Sequence, residues 1–399
     1  MSTADIDTPF ARPEDALQRP EHRFLLRCVR QTTHDVPRVE PPAADEFDWE
    51  YFRRLANDHR LASLVNRCLT DEAKAAIPDA VVADFESIAE WVTYRNLGMI
   101  GTTRAVLSLL EARGISALPY KGPVLAAVVH GDLAFRGSKD VDVLLPKAEI
   151  SAARETLLAN GFRPKDPSAI GTEPGEMGSN RHSTVVSEDD IRVELHWRIT
   201  GNRFPFAVDF ERLWRTRETA DVGGTTMPIP SLDELVVPLA VHGNRHCWSE
   251  LAWLCDFAGT VDARDFDWGD RLRAASDLGA KRMLLVGLGL VDLLTDVELP
   301  PIVRRHLRSD RVANELSKAV VTSFLWTAAP STLATVRYML RVRERPTDTL
   351  RAVARLALLP GRKDFELLPP RARYYPLAVA CRPIRIAGTA GTNAAGRFR

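Results

Sequence analysis

"YKGPVLAAVVHGDLAFRGSKDVDVLLP", residues 120–146, sets Asp140 and Asp142 one residue apart at the head of an apolar run, Val143-Leu144-Leu145, that Pro146 stops. The run has the length and composition of a buried strand, a place where unpaired acids are costly. Alternate residues of a strand face the same side, so the two carboxylates would stand together. Like charges that close repel and hold on to protons unless a cation lies between them. Mg²⁺ removes the penalty, because it prefers hard oxygen ligands and takes one or two carboxylates together with substrate phosphates. A later segment, "RVELHW" at 192–197, places Glu194 in equally apolar surroundings. Three carboxylates on neighbouring strands are able to hold two divalent ions, an arrangement suited to in-line transfer at phosphorus.

The flanking sequence builds a small α/β unit over residues 115–204. "ISALPYKG" is a short apolar segment suited to a strand, and "PVLAAVVHG" follows as a helix that Pro123 can open, since its missing N–H costs nothing in a first turn. "AEISAARETLLANGF" predicts a helix ending at Gly161. "HSTVVS" and "IRVELHWRI" alternate like paired strands across the turn "EDD". Helical spacing dominates on both sides: over 21–114, where "WEYFRRLANDHRLASLVNRCL" and residues 82–113 are amphipathic, and from 205 through 358. Residues 1–20 and the Gly-, Pro- and Ser-rich stretch 165–180 are expected to be disordered or mobile, and 359–399 to form a basic tail. The fold class is therefore α+β, a small mixed-sheet core flanked by N-terminal and C-terminal helical regions.

Composition excludes more than it assigns. Lys plus Arg (53) balances Asp plus Glu (53), so the whole chain has no strong attraction for nucleic acid, although 351–399 holds ten basic and two acidic residues. Five cysteines at irregular spacing, without a CxxC pair, argue against a disulfide framework and against a zinc site, and point to a reducing cytoplasm. No basic start followed by an apolar run marks a signal peptide, and the most apolar later stretch, "MLLVGLGLVDLL", is too short to span a membrane.

An isolated D-x-D also serves in glycosyltransferases that use nucleotide sugars. The order strand, Lys-Gly turn, helix, basic loop, D-x-D strand, helix and acid-bearing strand is far more restrictive. "PYKG" (119–122), "RGSKDVDVLL" (136–145) and "VELHW" (193–197) resemble the core of the DNA polymerase β-like nucleotidyltransferase superfamily. More specifically, they look like a bacterial group of largely uncharacterised nucleotidyltransferases that read LKG, then R-x-x-x-D-h-D-h-L-h, then h-E/D-L-H-W. That group's helical half is matched by "VHGNRHCWSELAWLCDFAG" at 241–259, and its closing segment by "YYPLAVACRPIRI". One departure stands out. The superfamily carries a Gly-Ser pair upstream of the acids, beneath the phosphates. Here the first turn is Lys121-Gly122-Pro123, and the Gly-Ser of this stretch, Gly137-Ser138, lies just before Asp140.

The resemblance implies a Mg²⁺-dependent (or Mn²⁺-dependent) enzyme that moves an NMP unit from an NTP donor to a hydroxyl-type acceptor, which is a small molecule, peptide or protein rather than nucleic acid. Asp140, Asp142 and Glu194 are the candidate catalytic and metal-binding residues. Lys121, Gly122, Arg136 and Ser138 are candidates for holding phosphates, and His196 for orienting Glu194 or touching substrate. His182 lies on the neighbouring strand candidate. His242, Asn244, Arg245 and His246 bring polar groups into an apolar helical stretch, and some of them are expected across a cleft from Asp140 and Asp142. Asp256 either joins that wall or pairs with an arginine. A nucleotide-sugar glycosyltransferase and a non-catalytic nucleotidyltransferase-fold binding module are the alternative functions.

Overall fold

A computed structural model describes residues 19–30, 47–165, 182–200, 206, 208–326 and 331–358. The expectations for residues 1–18, 166–181 and 359–399 lie outside it. The N-terminal part is helical, as its periodicity requires: α1 (Pro20–Arg30), α2 (Trp49–Asp58), α3 (Ala62–Cys68), α4 (Asp71–Ala75) and α5 (Asp79–Glu111). Asp48 caps α2 by accepting from the Tyr51 N–H. The amphipathic run 49–69 then breaks at Arg60, whose backbone turns left-handed (φ 59°) and so cannot continue a right-handed helix.

The sheet elements follow the expected order. Strand β1 (Leu118–Pro119), α6 (Gly122–His130), β2 (Val141–Leu144), α7 (Ile150–Ala159), β3 (Arg163–Pro164), β4 (His182–Val186) and β5 (Arg192–His196) form one mixed sheet ordered β1-β2-β5-β4-β3. Only β2 and β5 run parallel, with Asp142 in register with Glu194 and Leu144 with His196. Strand β1 is shorter than the apolar stretch 115–120 promises, because it pairs β2 through two residues only.

The two faces of the sheet have different partners. Val141, Val143, Leu145, Val185, Val193 and Leu195 pack with Met99, Val106 and Leu110 of α5 and Leu157 of α7. The other face carries the acids, and its apolar members Leu118, Tyr120 and Leu144 join a core shared by helices from both ends of the chain. That is why a strand buried on both sides carries acids on one of them.

Beyond residue 205 the structure departs from an all-helical expectation. Helix α8 (Phe210–Arg215) is followed by a hairpin, β6 (Glu218–Val222) and β7 (Thr225–Ile229). Its turn, Gly223-Gly224, takes positive φ at both positions (59° and 75°), as the tight hairpin turn with matching twist demands. The helices then resume: α9 (Leu232–Arg245), α10 (Leu251–Asp262), α11 (Trp268–Asp277), α12 (Lys281–Leu294), α13 (Pro301–Ser309), α14 (Arg311–Thr322), α15 (Thr332–Arg341) and α16 (Pro346–Leu358). Between α9 and α10 the chain reverses through Cys247 and Trp248, both at φ 52°. Trp248 lies flat on Gly243, where a Cβ would come within 2.6 Å of the indole. Four cysteines, Cys28, Cys68, Cys247 and Cys255, are buried free thiols. Among the described residues no helix is long and apolar enough to cross a membrane.

Candidate functional site

The parallel register of β2 and β5 is what gathers the acids. It sets Asp142 directly beside Glu194 on one face, and the antiparallel register of β4 adds His182 opposite His196. Lys121 reaches in from the turn before α6, placing its Nζ 3.0 Å from Asp142 Oδ1. His196 Nε2 lies 2.7 Å from the same oxygen and 3.2 Å from Glu194 Oε2, which is also 3.4 Å from His182 Nδ1. Asp142, Glu194 and His196 are buried.

The electrostatics split the acids into two kinds. Burial alone would raise Asp142, but the Lys121 ammonium and the His196 ring outweigh it and hold the carboxyl well below the usual range. Glu194 is likewise lowered, because His196 and His182 outweigh its burial. Asp140 has weaker support, from the Lys121 and Arg192 charges at a distance. It forms no hydrogen bond or ion pair among the described residues, and burial together with the Asp142 and Glu194 carboxylates pushes it up to about 6. A half-buried acid crowded by two others, which Lys121 and Arg192 offset only in part, is the environment a divalent cation relieves. Asp140, Asp142 and Glu194 thus fit Mg²⁺ by donor type. The ligand atoms of His182, Glu194 and His196 also lie within 4.8 Å of one another.

Gly122 is the first residue of α6, with φ 67°, and a Cβ there would stand 3.1 Å from the Asp140 carbonyl oxygen. The glycine lets the helix start against the acid-bearing strand. No side chain caps this helix, so its N-terminal dipole points positive charge at the end of β2 where the acids lie.

Arg136 does not stand ready for a phosphate. Its side chain is 3% exposed, and its five N–H donors are all engaged internally. They reach both Asp256 oxygens (2.8 and 2.5 Å) and the Gly122 carbonyl, Gly137 carbonyl and Ser138 hydroxyl (3.1 Å each). Ser138 is buried with it. Where a phosphate contact was expected of it, Arg136 instead fastens the loop before β2 to α10 in this structure. Of the two roles open to Asp256, pairing is the observed one. Burial would raise its carboxyl, and Arg136 followed by His130 holds it low instead.

The expected polar wall divides. Asn244 lies inside the helical core, donating to the Ala240 and Met283 carbonyls and accepting from the Tyr338 hydroxyl. That placement corrects its assignment to a cleft, since a fully satisfied buried amide has nothing left to offer a ligand. His242 and His246 gather round Trp253, with ring centroids 5.5 and 4.8 Å away. The Arg60 guanidinium lies 5.6 Å from the same Trp253 ring and pairs with Glu250 at 2.5 Å. Glu250 in turn holds Lys139, the neighbour of Asp140, at 3.1 Å. Sequence reasoning passed over Arg60 and Glu250, because nothing local ties residues so far apart to the acid-bearing loop.

No curated protein matches the chain. A family described as uncharacterised nucleotidyltransferase matches residues 45–296, which run from α2 to the end of α12 and include every candidate residue named above. The chain belongs to that uncharacterised nucleotidyltransferase family.

Proposed function

We propose that the protein is a metal-dependent nucleotidyltransferase that moves an NMP unit from an NTP to a hydroxyl-type acceptor. The observation that carries this reading is Asp142 and Glu194 buried side by side on two parallel strands with half-buried Asp140 just before the first, its carboxyl pushed up to about 6 by burial and by the other two, and without an ion pair of its own among the described residues. Mg²⁺ held by these acids would supply charge neutralisation at the triphosphate and at the transferring phosphorus. Lys121 and the uncapped start of α6 hold phosphate oxygens, a role supported by the positive helix end and the ammonium 3.0 Å from Asp142. His196 positions Asp142 and Glu194, and Glu194 accepts the acceptor's proton at its carboxylate. Arg136 acts at one remove, setting the loop that delivers Asp140. Glu250 and Lys139 bring the start of α10 to the edge of that loop, so the C-terminal helices contribute one side of the place where an acceptor sits.

Incubating the protein with labelled ATP, GTP, CTP and UTP, Mg²⁺ and a lysate of its own host tests the reading. A label transferred to one acceptor class by the wild type and lost in Asp142→Asn is expected. Transfer that survives Asp142→Asn with undiminished rate would remove the proposal.

A further inference from the structure

Helix α5 is 33 residues long, and one side of it carries the buried residues Phe85, Val92, Met99, Val106 and Leu110. Its opposite side is apolar as well, yet faces outward. Trp91, Tyr94 and Leu97 are 57%, 80% and 50% exposed, three of the eight large hydrophobics that the described residues leave in the open, and all within two turns. Apolar groups gathered on one surface mark a place that another surface covers. Gly101 follows on the same side. A glycine inside a helix is less favourable than alanine, and nothing around this one asks for it: its backbone is helical and a Cβ would meet no atom within 4 Å.

At about 100° per residue, positions seven apart fall nearly one above another. Glu90, Leu97 and Arg104 run along one edge of the exposed side, Tyr94 and Gly101 along its middle, and Trp91, Gly98 and Ala105 along the other edge. In each row the bulky or acidic member comes first and the small or basic member last. We propose that a second copy of this chain docks here, the two α5 helices packing antiparallel about a two-fold axis beside Leu97 and Gly98. That symmetry lays each row against its own reverse. Tyr94 of each copy covers Gly101 of the other, Trp91 covers Ala105, Leu97 meets Leu97, and Glu90 reaches Arg104. The glycine admits the tyrosine ring close to the helix backbone. A parallel pair would instead set Glu90 on Glu90 and Arg104 on Arg104, and crowd tyrosine against tyrosine. Glu90 and Arg104 are exposed and form no ion pair among the described residues. About 21 Å apart along the helix axis, they meet only across two copies. The buried side of α5 packs on the sheet face opposite the acids, so the second copy lies away from Asp140, Asp142 and Glu194. The inference is independent of the transfer reading.

Sedimentation equilibrium of the full-length chain tests it. The wild type is expected to associate reversibly to twice the chain mass. Arg104→Glu sets like charges together at both ends of the contact and is expected to weaken association by about tenfold at low salt. Combining it with Glu90→Arg exchanges the two charges and is expected to restore the dimer, a rescue specific to the antiparallel pairing. Gly101→Leu fills the space that Tyr94 needs and is expected to abolish association. At a dilution where both are monomers, its melting temperature is expected to match or exceed the wild type's, because leucine is the better helix former at an exposed position. Circular dichroism checks that every variant folds. A wild type that stays monomeric at about 100 µM would overturn the proposal and leave the face to the chain's own 359–399 segment or to a different protein. A dimer indifferent to Gly101→Leu and Arg104→Glu would overturn it equally, since its contact lies elsewhere. Weakening by Arg104→Glu without rescue by the exchanged pair would rule out the antiparallel axis.

Discussion

At Asp140, function and stability pull in opposite directions. Its carboxyl titrates near 6 in the folded chain and near 3.9 when unfolded, so between those values the native state holds more protons than the unfolded one. Stability contributed by this group is complete below the unfolded value and falls as pH rises towards 6. Asp140→Asn is therefore expected to stabilise the metal-free protein at pH 7.5, and to do so progressively less as the pH is lowered to 4. A two-unit shift corresponds to about 3 kcal/mol, and screening at a half-buried position reduces this to on the order of 1 kcal/mol. Thermal melts across that range measure it, and an equal or larger gain at pH 4 would contradict the assignment. Asp142 behaves in the opposite sense. Its lowered carboxyl contributes stability at neutral pH that disappears as acid protonates it. Both acids were legible from the D-x-D spacing, because a period of two says which side chains share a face. Which of them lacks a counter-ion was not legible, since Lys121 and His196 reach Asp142 from other elements.

Among the elements, the alternation of 182–187 and 191–199 and the helix stop at Gly161 were readable because local periodicity and local punctuation determine them. The hairpin β6–β7 was not read, although its Gly223-Gly224 turn stands in plain sight. Its strands alternate, but bury few apolar residues: Val222, Met227 and Ile229, with Ala220 against them, pack beneath α6 with Ile100 and Val124. Helical periodicity on both sides therefore masks them. The turn itself is testable. Gly223 has φ 59°, and a Cβ there would meet the Leu133 side chain at 3.2 Å. Gly223→Ala is expected to cost about 1–2 kcal/mol, read as a shift in a urea midpoint, with metal binding unchanged. At Gly243 the obstacle is the Trp248 indole at 2.6 Å. Gly243→Ala should be the more damaging of the two in the same titration, because a buried ring has nowhere to retreat in a close-packed core.

Across the whole molecule, the buried link that joins the acid-bearing loop to the helical half, beside the exposed Lys139–Glu250 contact, is the pair Arg136–Asp256, between residues 120 apart in sequence. Its partners each belong to a recognisable motif, R-x-x-x-D-x-D and W-L-x-D, but no spacing rule pairs positions so distant. Only the fold does. Breaking a buried ion pair by removing one partner costs roughly 3–5 kcal/mol, whereas replacing both by apolar groups is far cheaper. Arg136→Met and Asp256→Leu are each expected to destabilise the chain strongly. The double variant is expected to recover much of that loss while its loop, no longer bonded to the Gly122 carbonyl and Ser138, positions Asp140 poorly. Recovery of stability with full transfer activity would show that the pair has no part in setting the acids. The same pair also has a consequence for order in time. A ribosome delivering about 5–20 residues per second releases Arg136 on the order of ten seconds before Asp256. Once Glu194 has followed, and until Asp256 does, the growing chain carries all three carboxylates and the turn beneath them, but lacks the acid that fixes their loop. The site is thus built early and locked late, so a chain interrupted in the C-terminal half would hold the acids without the geometry to use them.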